Sequence, residues 1–67
     1  MHSFTVIDNG HTVVGHDDRV PKAAGTIHRP QMPGECYQLV CGATVRTFEL
    51  EADALACLCH YLAYGVI

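Results

Sequence analysis

Cysteine and histidine are the residue types in this chain that could bind a metal or act as a nucleophile. Four cysteines and five histidines occur among its 67 residues. Zinc takes four nitrogen or sulfur ligands in a tetrahedron, usually from cysteine pairs on turns. Here Cys36 and Cys41 bracket a predicted strand instead. Cys57 and Cys59, two apart on a predicted helix, point about 200° away from each other. The spacing therefore does not favour a preformed zinc site.

A zinc site assembled from distant residues is the alternative function for this chain. Cys57 and His60 are three residues apart, so they share one side of the predicted helix. A cysteine from the predicted strand could join them across the helix–sheet interface. The candidate ligands of such a small zinc-binding regulatory domain are Cys36, Cys41, Cys57 and His60. The favoured interpretation is that the cysteines are small buried apolar side chains, so we predict no metal and no cofactor.

Nucleophilic or metal-assisted catalysis is not indicated by the sequence. A catalytic cysteine needs a thiolate-stabilising environment and a pocket beside a base. A chain this short has little volume left for a pocket once its core is filled. The histidines show no H-E-x-x-H or related spacing. We therefore predict that the protein is not an enzyme.

The charge balance argues against nucleic acid as a partner. Seven acidic and four basic side chains give a formal charge of −3, whereas nucleic-acid binders usually carry a basic stripe. One basic cluster does occur, formed by Arg19, Lys22 and Arg29. No aromatic residue lies among these three to stack on a base. The cluster is interpreted as part of a solvated loop, with salt-sensitive nucleic-acid binding as the alternative.

Local signals divide the chain into two hairpins, a loop and a helix within one domain, residues 1–67. The composition, 49% hydrophobic and 16% charged, is typical of a chain that folds. The first hairpin spans residues 1–14, because strand-forming residues flank the dipeptide Asn9-Gly10. That dipeptide tolerates the positive φ angles of a type I′ turn, the commonest tight hairpin connection.

The remaining segments complete the predicted fold. Residues 15–35 are predicted to form a loop, because their prolines and glycines leave no periodicity. A second hairpin is predicted over residues 36–50, with strand formers on both sides of a tight turn at Gly42. A helix over residues 51–64 begins where acidic residues favour the positive end of its dipole and ends at Gly65. These elements predict an α+β fold, a small antiparallel sheet of about four strands packed against one C-terminal α-helix.

The predicted helix is apolar on two sides. One side has the spacing of a core-facing stripe and consists of Leu50, Ala54, Leu55, Leu58 and Leu62. The other side has small and aromatic residues where charged ones are usual, namely Ala52, Ala56, Cys59, His60, Ala63 and Tyr64. Small side chains let a second helix approach closely, so we predict a protein interface there and a homodimer formed through it. The alternatives are that this side faces the sheet while the leucines face a partner, or that it is a harmlessly exposed alanine surface.

These features favour a small non-enzymatic protein-binding module. In size and α+β layout the chain is similar to phage-encoded stoichiometric inhibitors of host defence, including anti-CRISPR proteins, with which it shares no specific motif. That similarity and the acidic charge favour a target that handles nucleic acid. The first residues form no secretory signal, and the terminal apolar segment contains Glu51 and Asp53. We therefore expect a cytoplasmic protein that does not cross a membrane.

Overall fold

Five antiparallel strands and one helix form the part of the chain that the computed structural model describes, residues 2–17 and 24–66. The strands lie in one sheet in the order of the sequence, so each strand pairs with its neighbours along the chain. The elements are β1 (His2–Ile7), β2 (Thr12–Asp17), β3 (Ala24–His28), β4 (Tyr37–Cys41), β5 (Thr44–Phe48) and α1 (Glu51–Tyr64). One face of the sheet packs against α1, which contacts β2 to β5.

The predicted α+β layout is confirmed, with five strands rather than about four. The extra strand is β3, which lies in the middle of the sheet between β2 and β4. The prediction of a loop over residues 15–35 is therefore wrong for residues 15–17, which belong to β2, and for residues 24–28, which form β3. Neither segment was predicted as a strand, because each contains a glycine, which weakens strand propensity.

Those two glycines make room for the helix. Gly15 and Gly25 are direct cross-strand partners on β2 and β3. A Cβ atom on Gly25 would lie 2.5 Å from Leu58 Cδ1 and 3.0 Å from Cys41 Sγ, and one on Gly15 would lie 3.1 Å from Leu58 Cδ2. These separations are shorter than ordinary carbon contacts. Tertiary packing thus requires glycine where local propensity disfavours it, and Leu58 packs over the glycine pair.

The core lies between α1 and the helix-facing side of the sheet. Its fully buried residues have 0% exposure and are Ile27, Leu39, Ala54, Leu58 and Leu62. The helix therefore presents the predicted leucine stripe to the sheet, and Leu55 is half-buried against the same cluster. Leu50 is an exception, because it precedes the helix in extended conformation and is 62% exposed. The prediction that Leu50 belongs to the core-facing stripe is wrong for that reason.

The turn between β1 and β2 has the backbone predicted from its dipeptide. Asn9 has φ 56° and ψ 34°, and Gly10 has φ 86°. The N–H of His11 donates a hydrogen bond of 3.1 Å to the carbonyl of Asp8. Asp8 itself also has a positive φ of 56°, which the sequence did not predict. The helix ends as predicted, with Gly65 at φ 76° donating its N–H to the carbonyl of Tyr61 at 2.7 Å.

Candidate functional site

The predicted interface residues lie together on the side of α1 that points away from the sheet. We call this set the outward face of α1, and it consists of Ala52, Ala56, Cys59, His60, Ala63 and Tyr64. All are exposed except Cys59 and Ala63, which are half-buried. The helical repeat places these residues on the opposite side from Ala54, Leu58 and Leu62. The outward face therefore takes no part in the core of its own chain.

The outward face is nearly free of charge and ends in an aromatic pair. Helix α1 contains no lysine or arginine, and its two carboxylates, Glu51 and Asp53, both lie in the first turn. At the other end the rings of His60 and Tyr64 are tilted against each other, with centroids 4.8 Å apart. His60 Nδ1 also lies 3.2 Å from the carbonyl oxygen of Val66. Tyr64 is nevertheless 71% exposed, which leaves a large amphipathic side chain available for contact.

The four candidate zinc ligands are not gathered into one site. Cys36 is exposed in the segment between β3 and β4, Cys41 is buried in the core, and Cys57 is half-buried. His60 lies on the outward face. Within residues 2–17 and 24–66, no group of three or more histidine, cysteine or acidic side chains has a geometry that could hold a metal ion.

Cys41 and Cys57 face each other across the helix–sheet interface as free thiols. Cys41 belongs to the buried cluster, and Cys57 packs against that cluster. Burial raises the pKa of the Cys41 thiol, and the neighbouring Cys57 raises it further. A thiol that keeps its proton is a poor nucleophile and a poor metal ligand. The arrangement is that of cysteines used as small apolar side chains.

The candidate basic loop is only partly described. Arg19 and Lys22 lie outside the described residues, whereas Arg29 follows β3 directly. The Arg29 guanidinium donates from Nε to Glu51 Oε2 at 2.7 Å, from Nη2 to Glu51 Oε1 at 3.3 Å and from Nη1 to the Gly10 carbonyl at 2.8 Å. These bonds join the first turn, the end of β3 and the start of α1. Arg29 thus has a structural role, which a pair 22 residues apart did not reveal in the sequence.

An open cleft of about 340 Å³ lies beside the segment that connects β3 and β4. It is shaped by Glu35, whose Oε1 accepts hydrogen bonds from the backbone N–H groups of Met32 at 2.9 Å and Gln31 at 3.3 Å. The lining residues are His28, Arg29, Pro30, Gln31, Met32, Glu35, Cys36 and Gln38. Both charged side chains that line the cleft already have partners. Arg29 forms a salt bridge with Glu51, and Glu35 accepts hydrogen bonds from the backbone. The cleft was not predicted, because it depends on how this connection folds back.

The side of the sheet that faces away from α1 is a second uncharged surface. The cross-strand register aligns one β-branched residue from every strand in a single row, and that row is Thr5, Val14, Thr26, Val40 and Val45. Among the side chains that the structure describes, no lysine, arginine, aspartate or glutamate occupies a strand position on this side. An outer sheet face usually carries polar and charged residues. The sequence did not reveal this surface, because the face of each residue depends on the register.

Two further observations concern the chain as a whole. No helix within the described ranges is both long enough and apolar enough to span a lipid bilayer. Comparison with known protein families, curated proteins and solved structures found no match to this chain.

Proposed function

We propose that this protein is a non-enzymatic protein-binding module that binds through the outward face of α1, in the first place to the same face of a second copy. The observation that carries the proposal is that this face carries no lysine, arginine or carboxylate beyond the first turn of α1. The inward side of α1 is already fully buried, with Ala54, Leu58 and Leu62 at 0% exposure. The apolar residues of the outward face are therefore not needed to fill the core. An exposed apolar helix side with an aromatic end is typical of a contact surface.

The spacing of the small residues suits a two-fold pairing of helices. In an antiparallel arrangement centred between Ala56 and Cys59, Ala56 lies opposite Cys59 of the second copy. Ala52 then lies opposite Ala63 of the second copy. Small side chains meet small side chains throughout, which permits an interaxial distance of about 8 Å. The antiparallel arrangement also places the positive end of each helix dipole beside the negative end of the other, which is favourable.

The proposed biological role is stoichiometric inhibition of a basic protein that handles nucleic acid. The net charge is −3, and Asp8, Glu49 and Asp53 are exposed. Of the two described arginines, Arg29 is bound to Glu51 and only Arg46 is exposed. The described surface is therefore more acidic than basic, which favours association with a positively charged target through electrostatic steering.

Light scattering on the full chain, with matched alanine-to-glutamate variants, tests the α1 contact. We expect the unmodified protein to exceed its monomer mass of 7.3 kDa at high micromolar concentration. Ala56→Glu places a carboxylate beside the centre of a dehydrated two-fold seam, opposite Cys59 of the second copy, so this variant should lose the α1 contact. Ala43→Glu is the control, because Ala43 is exposed in the turn between β4 and β5. If Ala56→Glu associates as strongly as Ala43→Glu, the α1 interface is refuted.

A further inference from the structure

Strand β1 is an edge strand of the sheet that the described residues form. It is first in the strand order, and among the described strands only β2 pairs with it. The register with β2 runs without interruption from His2 opposite Asp17 to Ile7 opposite Thr12, so the strand contains no bulge. Its sequence, HSFTVI, contains no proline, glycine, lysine, arginine or carboxylate. Alternate backbone N–H and C=O groups of an edge strand point away from the sheet and can pair with another strand.

The opposite edge of the same sheet has a feature that β1 lacks. Strand β5 is five residues long and carries an exposed arginine, Arg46, at its centre. A charged residue on a short edge strand is a common means of preventing edge-to-edge association. Strand β1 is six residues long and has no such charge. Among the described residues, the two edges of this sheet are therefore not equivalent, because only β5 carries a charge at its centre.

Two apolar side chains of β1, Phe4 and Val6, lie partly exposed beside the helix. Phe4 and Val6 pair with Gly15 and Val13 of β2, which places both on the helix-facing side of the sheet. The Phe4 ring lies over Gly15, with Cε1 2.9 Å from the position of a Cβ atom there. Phe4 nevertheless remains 44% exposed and Val6 54% exposed. Two apolar side chains thus remain partly exposed on this edge strand.

We infer that β1 pairs with β1 of a second copy in an antiparallel arrangement, which joins the two sheets into one of ten strands. A two-fold axis at Thr5 sets Phe4 opposite Val6 of the second copy, and Val6 opposite Phe4 of the second copy. Aromatic and β-branched side chains form favourable cross-strand pairs. Phe4 and Val6 of the two copies then cover each other in the space between the two helices. No residue of β1 bears a carboxylate, lysine or arginine, so the pairing brings no such like charges together.

This inference is independent of the proposed α1 interface. The edge of β1 and the outward face of α1 are different surfaces, and α1 packs on β2 to β5. A chain that used both two-fold contacts would form assemblies larger than a dimer. Loss of one contact would then leave a dimer held by the other. The two proposals can therefore fail separately.

Valine-to-lysine variants of the two edge strands test the inference by sedimentation equilibrium. Val6 in β1 is 54% exposed and Val45 in β5 is 52% exposed, so a lysine at either position can reach solvent in the monomer. Val6→Lys should weaken self-association about tenfold or more, because it sets a charge in the new apolar contact. Val45→Lys should leave it unchanged. Equal association of the two variants would overturn the inference, as would a protein that remains at 7.3 kDa at high micromolar concentration.

Amide hydrogen exchange supplies a second measurement that reports on β1 directly. We expect amides of His2–Ile7 to become more protected as protein concentration rises, in wild type and in Ala56→Glu alike. In Val6→Lys the concentration dependence should disappear, while the amides of β3 and β4 stay protected. Protection in β1 that is independent of concentration would contradict the pairing.

A second variant covers the case in which Val6→Lys does not fold. Thr5→Lys lies on the other side of β1 and would face its own copy across the proposed axis, so it should weaken association equally. Thr47→Lys, at an exposed position on the same side of β5, is its control. If Ala56→Glu alone produces a monomer, the β1 contact is refuted and the α1 interface stands. If Ala56→Glu leaves self-association unchanged and Thr5→Lys alone abolishes it, the α1 interface is refuted and the β1 contact stands.

Discussion

Replacing Gly25 with alanine tests whether the glycine pair under Leu58 determines the position of the helix. The added Cβ would lie 2.5 Å from Leu58 Cδ1 and 3.0 Å from Cys41 Sγ, whereas carbon atoms normally approach to about 3.5–4.0 Å. Leu58 is 0% exposed, so it has no open space to enter. Overpacking of this kind costs about 1–3 kcal/mol. The smaller entropy of the unfolded alanine chain offsets about 0.4–1 kcal/mol.

We therefore expect Gly25→Ala to lower the free energy of unfolding by about 1–2 kcal/mol, which for a domain of this size lowers Tm by roughly 4–16 °C. Urea unfolding monitored by circular dichroism measures the change. Leu58→Ala alone should cost about 2–5 kcal/mol through the cavity it leaves. In the Leu58→Ala background the methyl group added at residue 25 occupies part of that cavity. Gly25→Ala should then be neutral or stabilising. An equal effect of Gly25→Ala in both backgrounds would show that contact with Leu58 is not what excludes a side chain at residue 25.

Two further predictions concern the first turn and the buried thiol. Gly10 has φ 86°, and a Cβ atom added to it would meet no heavy atom within 4 Å, so Gly10→Val should lose about 1–2 kcal/mol from backbone strain alone. Gly10→Asn should lose less, and equal urea midpoints for the two variants would contradict a left-handed turn. The pKa of the Cys41 thiol is higher in the folded chain than in the unfolded chain. The protonated thiol therefore stabilises the fold fully below the unfolded pKa, and this contribution is lost as pH rises through the folded pKa. Stability should fall across that alkaline range, less so in Cys41→Ala, and timed alkylation read by mass spectrometry should modify exposed Cys36 before Cys41.

Local signals were sufficient where a feature depends on neighbouring residues. Asn9-Gly10 and Gly65 have the predicted left-handed backbone, and the helix has the predicted bounds. The 3.6-residue repeat also placed Ala56 and His60 on the outward face, because positions on a helix surface follow from spacing alone. These predictions needed no knowledge of the rest of the fold.

Features that depend on distant residues were not predictable. Strand β3 owes its place to packing around Gly25, where a residue that weakens an isolated strand fits beneath Leu58. Arg29 was assigned to a solvated basic loop from the sequence, because its partner, Glu51, lies 22 residues away. The edge position of β1 is a property of the strand order, which the strand pattern alone does not specify. In each case a long-range contact determined the outcome.

The strand order also bears on how the chain reaches its native state. Every strand pairs with the one before or after it in sequence, so the sheet can grow one hairpin at a time with short loop closures, a topology that favours rapid folding. Helix α1 follows all five strands, yet it supplies Leu58 and Leu62 to the core. During synthesis the side chains of Ile27 and Leu39 therefore remain exposed to solvent until residues 51–64 have left the ribosome and formed the helix. The nascent sheet is thus most prone to aggregation just before the helix docks.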